Sequence, residues 1–271
     1  VNRTTATTLI IFLSALVSLQ AASFSYDFDD GETDFTNTFS LNTGNMNYSG
    51  TGGVDGTGAV TPQGGSANNS ALLSTGAGTF ADNGNVLTSS LYFRPRDGNV
   101  NERIRVGYAT TGGDFSTGDY ISATVNGSGS VGANASLVIR GRQDGFGTIK
   151  FTDSDTFTLS SSNWYQLQTT FTRDTGVAGR FTFSITLNDW GTDGLTGGGV
   201  VDSYGGTIDG LNNVWNNDLF GGFQNSALND GPAGSGGLAI DNFTAVIPEP
   251  GTFALVTLTG IALMMHRKRK S

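Results

Sequence analysis

Short runs of alternating apolar and polar residues, broken every few positions by Gly, Asp or Asn, mark most of this chain as strand and turn. Phe24–Phe28 opens the series. Val86–Phe93, Arg103–Ala109, Tyr120–Val125, Ser136–Arg140 and Thr148–Phe151 follow at regular spacing, and Leu238–Val246 closes it. The clearest pair runs from Trp164 to Phe171 and from Arg180 to Leu187. The first places Tyr165, Leu167, Thr169 and Phe171 on one face, and the second Phe181, Phe183, Ile185 and Leu187. The stretch Asp174-Thr175-Gly176-Val177-Ala178-Gly179 between them suits a turn, so the two runs predict an antiparallel hairpin. No window carries a convincing amphipathic helix. Residues 42–69, rich in Gly, Thr, Ser and Asn, read as a long surface excursion with short strands or partial disorder. About a dozen one-sided strands in ~220 residues predict an all-β, two-sheet antiparallel sandwich.

Two apolar segments at the ends do not fit this pattern. Arg3, an 11-residue apolar run from Leu9 to Leu19, and small residues at Ala21, Ala22 and Ser23 have the order of a secretory signal peptide. The run is too short to span a bilayer, and a buried helix is the alternative. This reading makes 1–23 the signal peptide, with cleavage between Ala21 and Phe24, and 24–247 the sandwich domain. At the other end Pro248-Glu249-Pro250 precedes 14 mostly apolar residues, Thr252–Met265, and then His266-Arg267-Lys268-Arg269-Lys270. The prolines favour an extended, accessible segment, the apolar run suits a transmembrane helix, and the basic cluster would remain cytoplasmic.

This three-part tail, 248–271, resembles the PEP-CTERM sorting signal. The resemblance implies an exosortase as processing partner, after passage through the secretion translocon. It also implies a Gram-negative host that makes exopolysaccharide and grows in biofilms. It predicts an exported protein held for a time at the inner membrane and then released to the cell surface or extracellular matrix. A second resemblance lies in the body. Asn163–Leu167, Phe181–Asp189 and the closing Leu238–Phe243 are similar to strands of laminin-G-like and concanavalin-like jelly rolls, which implies the architecture and little about activity.

Charge narrows the partners. Setting aside Arg3, the basic residues 267–270 and Glu249 leaves 9 basic against 22 acidic residues between 24 and 247, a net −13. Such a body repels nucleic acid and anionic lipid, so no nucleic-acid partner is expected. Divalent cations and neutral glycans match it better, and plain solubility accounts for it equally. There is no Cys, and the one His, His266, lies in the tail. Nucleophilic schemes based on Cys–His or Ser–His–Asp, and histidine-bound zinc or iron, are therefore absent from the body. Carboxylate catalysis would need paired acids, yet the body's two glutamates, Glu32 and Glu102, stand in no E-x-D-x-x-E pattern.

The acidic stretch Asp27–Asp34 is the metal candidate, because clustered carboxylate oxygens near a Gly suit Ca²⁺. By resemblance to carbohydrate-binding sandwiches that hold a structural calcium between first and last strands, Asp29, Asp30, Glu32 and Asp241 are the expected ligands. A solvated acidic turn is the alternative. Trp190 and Trp215, in Gly/Asp/Asn-rich loops, are candidates for stacking on sugar rings, or else fold back over the sandwich edge. The expectation is a non-enzymatic module that associates with exopolysaccharide. The alternatives are a structural surface protein without a ligand and a carboxylate-dependent glycosidase or lyase.

Overall fold

The computed structural model describes residues 22–42, 46–62, 69–74, 76, 78–80, 85–95, 103–110, 115, 118–127, 134–143, 147–226 and 238–247. Fifteen strands appear among these residues. The first five are β1 (Ala22–Tyr26), β2 (Phe39–Asn42), β3 (Met46–Ser49), β4 (Ala59–Pro62) and β5 (Asn69–Leu73). The next five are β6 (Val86–Arg94), β7 (Arg103–Ala109), β8 (Tyr120–Asn126), β9 (Ser136–Gln143) and β10 (Gly147–Thr152). The last are β11 (Tyr165–Arg173), β12 (Phe181–Asp189), β13 (Gly199–Ile208), β14 (Phe220–Ser226) and β15 (Ala239–Ile247).

They form two antiparallel sheets. An eight-stranded sheet runs β13-β12-β11-β6-β15-β4-β3, with β1 also paired to β15, and a seven-stranded sheet runs β10-β9-β8-β7-β14-β5-β2. The expected hairpin is present, with Leu167 opposite Leu187 and Phe171 opposite Phe183. Its inward positions alternate with exposed ones, as a half-buried strand requires. The short strands allowed for within 42–69 are present as β3 and β4, but they join the large sheet, where Ala59 and Val60 are fully buried, and do not lie on a surface excursion.

Two helices were not expected. α1 (Glu32–Thr38) joins β1 of one sheet to β2 of the other and buries Phe35, and α2 (Asn212–Asn216) buries Val214. Seven and five residues are too few to show a 3.6-residue period in sequence. Phe24, Tyr26, Phe28, Phe35, Phe39, Phe223 and Phe243 pack with ring centroids 4.8–6.4 Å apart, which closes one end of the sandwich.

The flanking helices of the expected fold class are corrected. A span needs about 20 apolar residues. Among the described residues no helix is long and apolar enough to cross a membrane, and the architecture they form is the sandwich. The inner-membrane-anchored stage, which depended on a C-terminal transmembrane helix, is withdrawn with it. The signal segment and the tail, including Pro248, Glu249, Pro250, Arg267, Lys268, Arg269 and Lys270, lie outside the described residues.

Candidate functional site

Of the four expected calcium ligands, two hold the same turn, 53–58. Asp241 lies at an irregularity in β15, where the pairing with β6 shifts register and Asn242 takes a positive φ of 47°. This turns the Asp241 carboxylate inward against the turn 53–58. Its Oδ2 accepts the Val54 N–H (2.8 Å) and the Thr57 hydroxyl (3.1 Å), and its Oδ1 accepts the Asn242 N–H (2.6 Å). Asp29 holds the same turn from the end of β1 by accepting the Gly58 N–H at 2.8 Å. The turn needs glycine. A Cβ on Gly58 would stand 1.8 Å from the Phe28 carbonyl oxygen, and one on Gly53 2.6 Å from Asp241 Oδ2. Burial raises the Asp241 carboxyl from an ordinary 3.8 to about 6; its donors oppose the shift and the nearby Asp29 charge adds to it.

Asp30 and Glu32 do not complete a cluster. Both are exposed, with Glu32 on the first turn of α1. Among the described residues no three His, Cys, Asp or Glu side chains gather as a metal group. The four-carboxylate set therefore does not assemble. The pair Asp29/Asp241 offers hard oxygen donors, and these fit calcium in kind if main-chain oxygens complete the shell.

Trp190 and Trp215 sit in surroundings that share no residue. Trp190 is half-buried, packs against the cluster of Val54, Ala59, Trp164 and Ala239, and donates its indole N–H to Gln166 Oε1 at 3.2 Å. Tyr92 lies 5.9 Å from it, ring to ring. Trp215, in α2, is covered by the Arg173 guanidinium 3.4 Å from its ring centroid.

A third feature had no signal in the sequence reading. The register of the seven-stranded sheet fixes which side chains point away from the core. On β7 they are Arg103, Arg105, Gly107 and Ala109. On β8 they are Tyr120, Ser122, Thr124 and Asn126, and on β9 Ser136, Val138, Arg140 and Arg142. β10 adds Thr148, Lys150 and Thr152, and β14 adds Phe220, Gly222 and Gln224. Five of the nine basic residues between 24 and 247 thus share one face, and none of these positions is Asp or Glu.

One transverse row reads Lys150, Arg140, Ser122, Gly107, Gly222, so the side chains shorten from the β10 edge toward the middle of the sheet. Beside it Arg105 donates to Gln224 Oε1 and to the Phe115 carbonyl, and Gln224 donates to Ser70 Oγ (2.9 Å). At one end Phe115, Tyr120, Leu72, Ala109 and Phe220 form an apolar cluster of their own. The buried polar atoms of this face without a hydrogen-bond partner include Arg103 Nε, Arg140 Nε, Ser122 Oγ, Thr124 Oγ1 and Asn126 Oδ1. The absence of partners for buried polar atoms is uncommon in folded proteins and calls for a cause.

No known protein family and no curated protein matches this sequence. Solved structures do resemble it. The T. cruzi calreticulin globular domain superposes with a TM-score of 0.51 at 10% identity, over 91% of this chain and 95% of that one. The endo-β-1,4-glucuronan lyase from the fungus Trichoderma reesei gives 0.50 at 15% identity, over 84% and 98%. The PL-14 alginate lyase from Aplysia kurodai gives 0.50 at 9%, over 85% and 100%. At these identities the likeness establishes the fold, a jelly-roll-like β-sandwich. It gives the PEP-CTERM resemblance of the tail no support, and that assignment is withdrawn.

Proposed function

We propose that this protein is a non-enzymatic, carbohydrate-associating module that seats a glycan chain on the outer face of its seven-stranded sheet. The observation that carries this reading is the basic edge of that face, where exposed Lys150 on β10 stands across from Arg140 on β9. Ammonium and guanidinium groups donate hydrogen bonds, and the oxygens of a glycan accept them. The fold is shared with a glucuronan lyase and an alginate lyase, and their names agree with this class of ligand. Among the described residues, none of the outward positions of β7, β8, β9, β10 and β14 named above is Asp or Glu, so these strands offer no acid/base pair of the glycosidase kind, which favours binding over hydrolysis.

Calcium has a separate, structural part in this reading. Asp29 and Asp241 would hold the ion with main-chain oxygens of the 53–58 turn. Its charge would neutralise a buried carboxylate and tie β1 to β15.

Affinity electrophoresis through gels containing neutral or acidic polysaccharides tests the reading. Retardation in at least one gel, with the polymer recovered at its original length, is the expected result. Unchanged mobility in every gel contradicts carbohydrate association. Retardation accompanied by unsaturated, shortened polymer contradicts a non-enzymatic role and establishes a lyase.

A further inference from the structure

We propose that β13, the outer strand of the eight-stranded sheet, is the surface on which two copies of this chain associate, edge to edge and antiparallel. This contact goes beyond the carbohydrate-associating reading and depends on none of its residues.

β13 is an edge without the usual protection. It ends its sheet, and among the described strands it pairs only with β12. An edge strand leaves a row of main-chain N–H and C=O groups unpaired, and proteins shield such rows by shortness, lysine, proline or a bulge. The other edges among the described residues have such devices. β1, β2 and β3 are short, with five, four and four residues, and β10 carries exposed Lys150. β13 runs for ten residues, Gly199–Ile208, with no Lys, Arg or Pro. Its one irregularity lies between Val200 and Asp202, and every residue from Asp202 to Ile208 pairs with β12 in unbroken register.

Gly205 and Gly206 lie inside this regular stretch. Glycine weakens a strand interior, and where it occurs it marks a bulge, a tight bend or the close approach of another backbone or ligand. Both glycines are in regular pairing, opposite Ser184 and Phe183, and neither has a positive φ. A Cβ on either would come no nearer than 3.3 Å to Phe183, against the 1.8 Å clash at Gly58. Neither a bulge nor a bend is present, and the approach of another backbone is the cause that fits.

The strand also complements itself. Gly205 is the midpoint of Asp202–Ile208, so a two-fold axis through it pairs the whole stretch with its counterpart. Tyr204 then faces the partner's Gly206, and Ser203 faces the partner's Thr207. Asp202 faces the partner's Ile208, so no two carboxylates of the strand meet. Beside the edge, the outward positions of β13, β12 and β11 are all Ser, Thr, Gly, Asn or Gln. Joining the two sheets therefore sets no like charges against each other on this face, although the stretch 24–247 carries −13. A two-fold contact of this kind closes at two copies.

Sedimentation equilibrium of the full-length protein from about 5 to about 500 μM tests this, a range suited to a small interface. A mass approaching two copies at the upper end is expected. Added salt should strengthen the association, because it screens the repulsion between two acidic bodies. Ser203→Lys combined with Thr207→Lys sets lysines opposite each other twice across the axis and should weaken dimerisation at least about tenfold. The same pair of substitutions lowers the net negative charge, so a dimer held elsewhere would tighten instead. Ser203→Lys combined with Thr207→Glu sets opposite charges in the same places and should dimerise at least about tenfold more tightly than the double-lysine variant. Both positions are exposed, and melting curves equal to wild type would show that the fold is kept. A single-copy mass at every concentration overturns the inference. So does an unchanged or tighter dimer in the double-lysine variant, equal weakening in both variants, or growth beyond two copies.

Discussion

Asp241 is fully buried, accepts three hydrogen bonds and titrates at about 6. The unfolded chain releases the same proton near 4. The native state therefore binds the proton more tightly, and stability from this group is complete below about pH 4 and lost as the pH rises through 6. The full shift is worth about 3 kcal/mol. In chelator, raising the pH from 4.5 to 7 should cost the wild type about 2 kcal/mol relative to Asp241→Asn, as read from urea unfolding at the two values. Parallel pH profiles would show that the Asp241 charge is not strained. Added calcium should raise the melting temperature of the wild type at pH 7 and leave Asp241→Asn unchanged, whereas an equal rise in both would place any calcium elsewhere. The sequence marked Asp29 and Asp241 as residues that could meet, because first and last strands of such sandwiches are neighbours. It did not separate them from Asp30 and Glu32. That separation depends on the inward turn of β15 at Asn242 and on the start of α1 at Glu32, and a single sequence displays neither.

At the scale of elements, strands with one buried face were legible because their alternation is a direct consequence of the pleat. β7 spans the residues its pattern predicts, and the β11–β12 hairpin forms in the expected phase. The misses share a cause. β13 (GVVDSYGGTI) is a sheet edge with little buried side-chain surface, so its sequence carries almost no alternation. β3 and β4 have four residues each, too few for a period, although Val60 is fully buried. α1 has one buried residue, Phe35, yet that ring joins the aromatic cluster linking the two sheets. Phe35→Ala should cost about 3 kcal/mol or more and lower the melting temperature by about 10 °C. A change under 2 °C would mean that α1 only connects strands and does not hold the sheets together.

For the whole molecule, net charge and topology describe different things. A body of −13 suggests neutral glycans or cations as partners, because composition averages over surfaces that face different ways. Sheet order brings Arg103 on β7, Arg140 on β9 and Lys150 on β10, separated by up to 47 positions, onto one face of one sheet, and no local motif announces that placement. The tryptophans, by contrast, were visible in the sequence as candidates. They prove to be engaged, Trp190 with Tyr92 and Gln166 and Trp215 under Arg173.

Hydrogen exchange with and without polygalacturonate compares these two locations directly. β10 is an edge strand whose side chains are mostly exposed, so its unpaired amides exchange fast enough for protection to be read. The account predicts that the polysaccharide slows exchange in Gly147–Thr152 and leaves residues 189–198 around Trp190 unchanged. Protection around Trp190 with Gly147–Thr152 unaffected would contradict it and move the glycan to the opposite sheet.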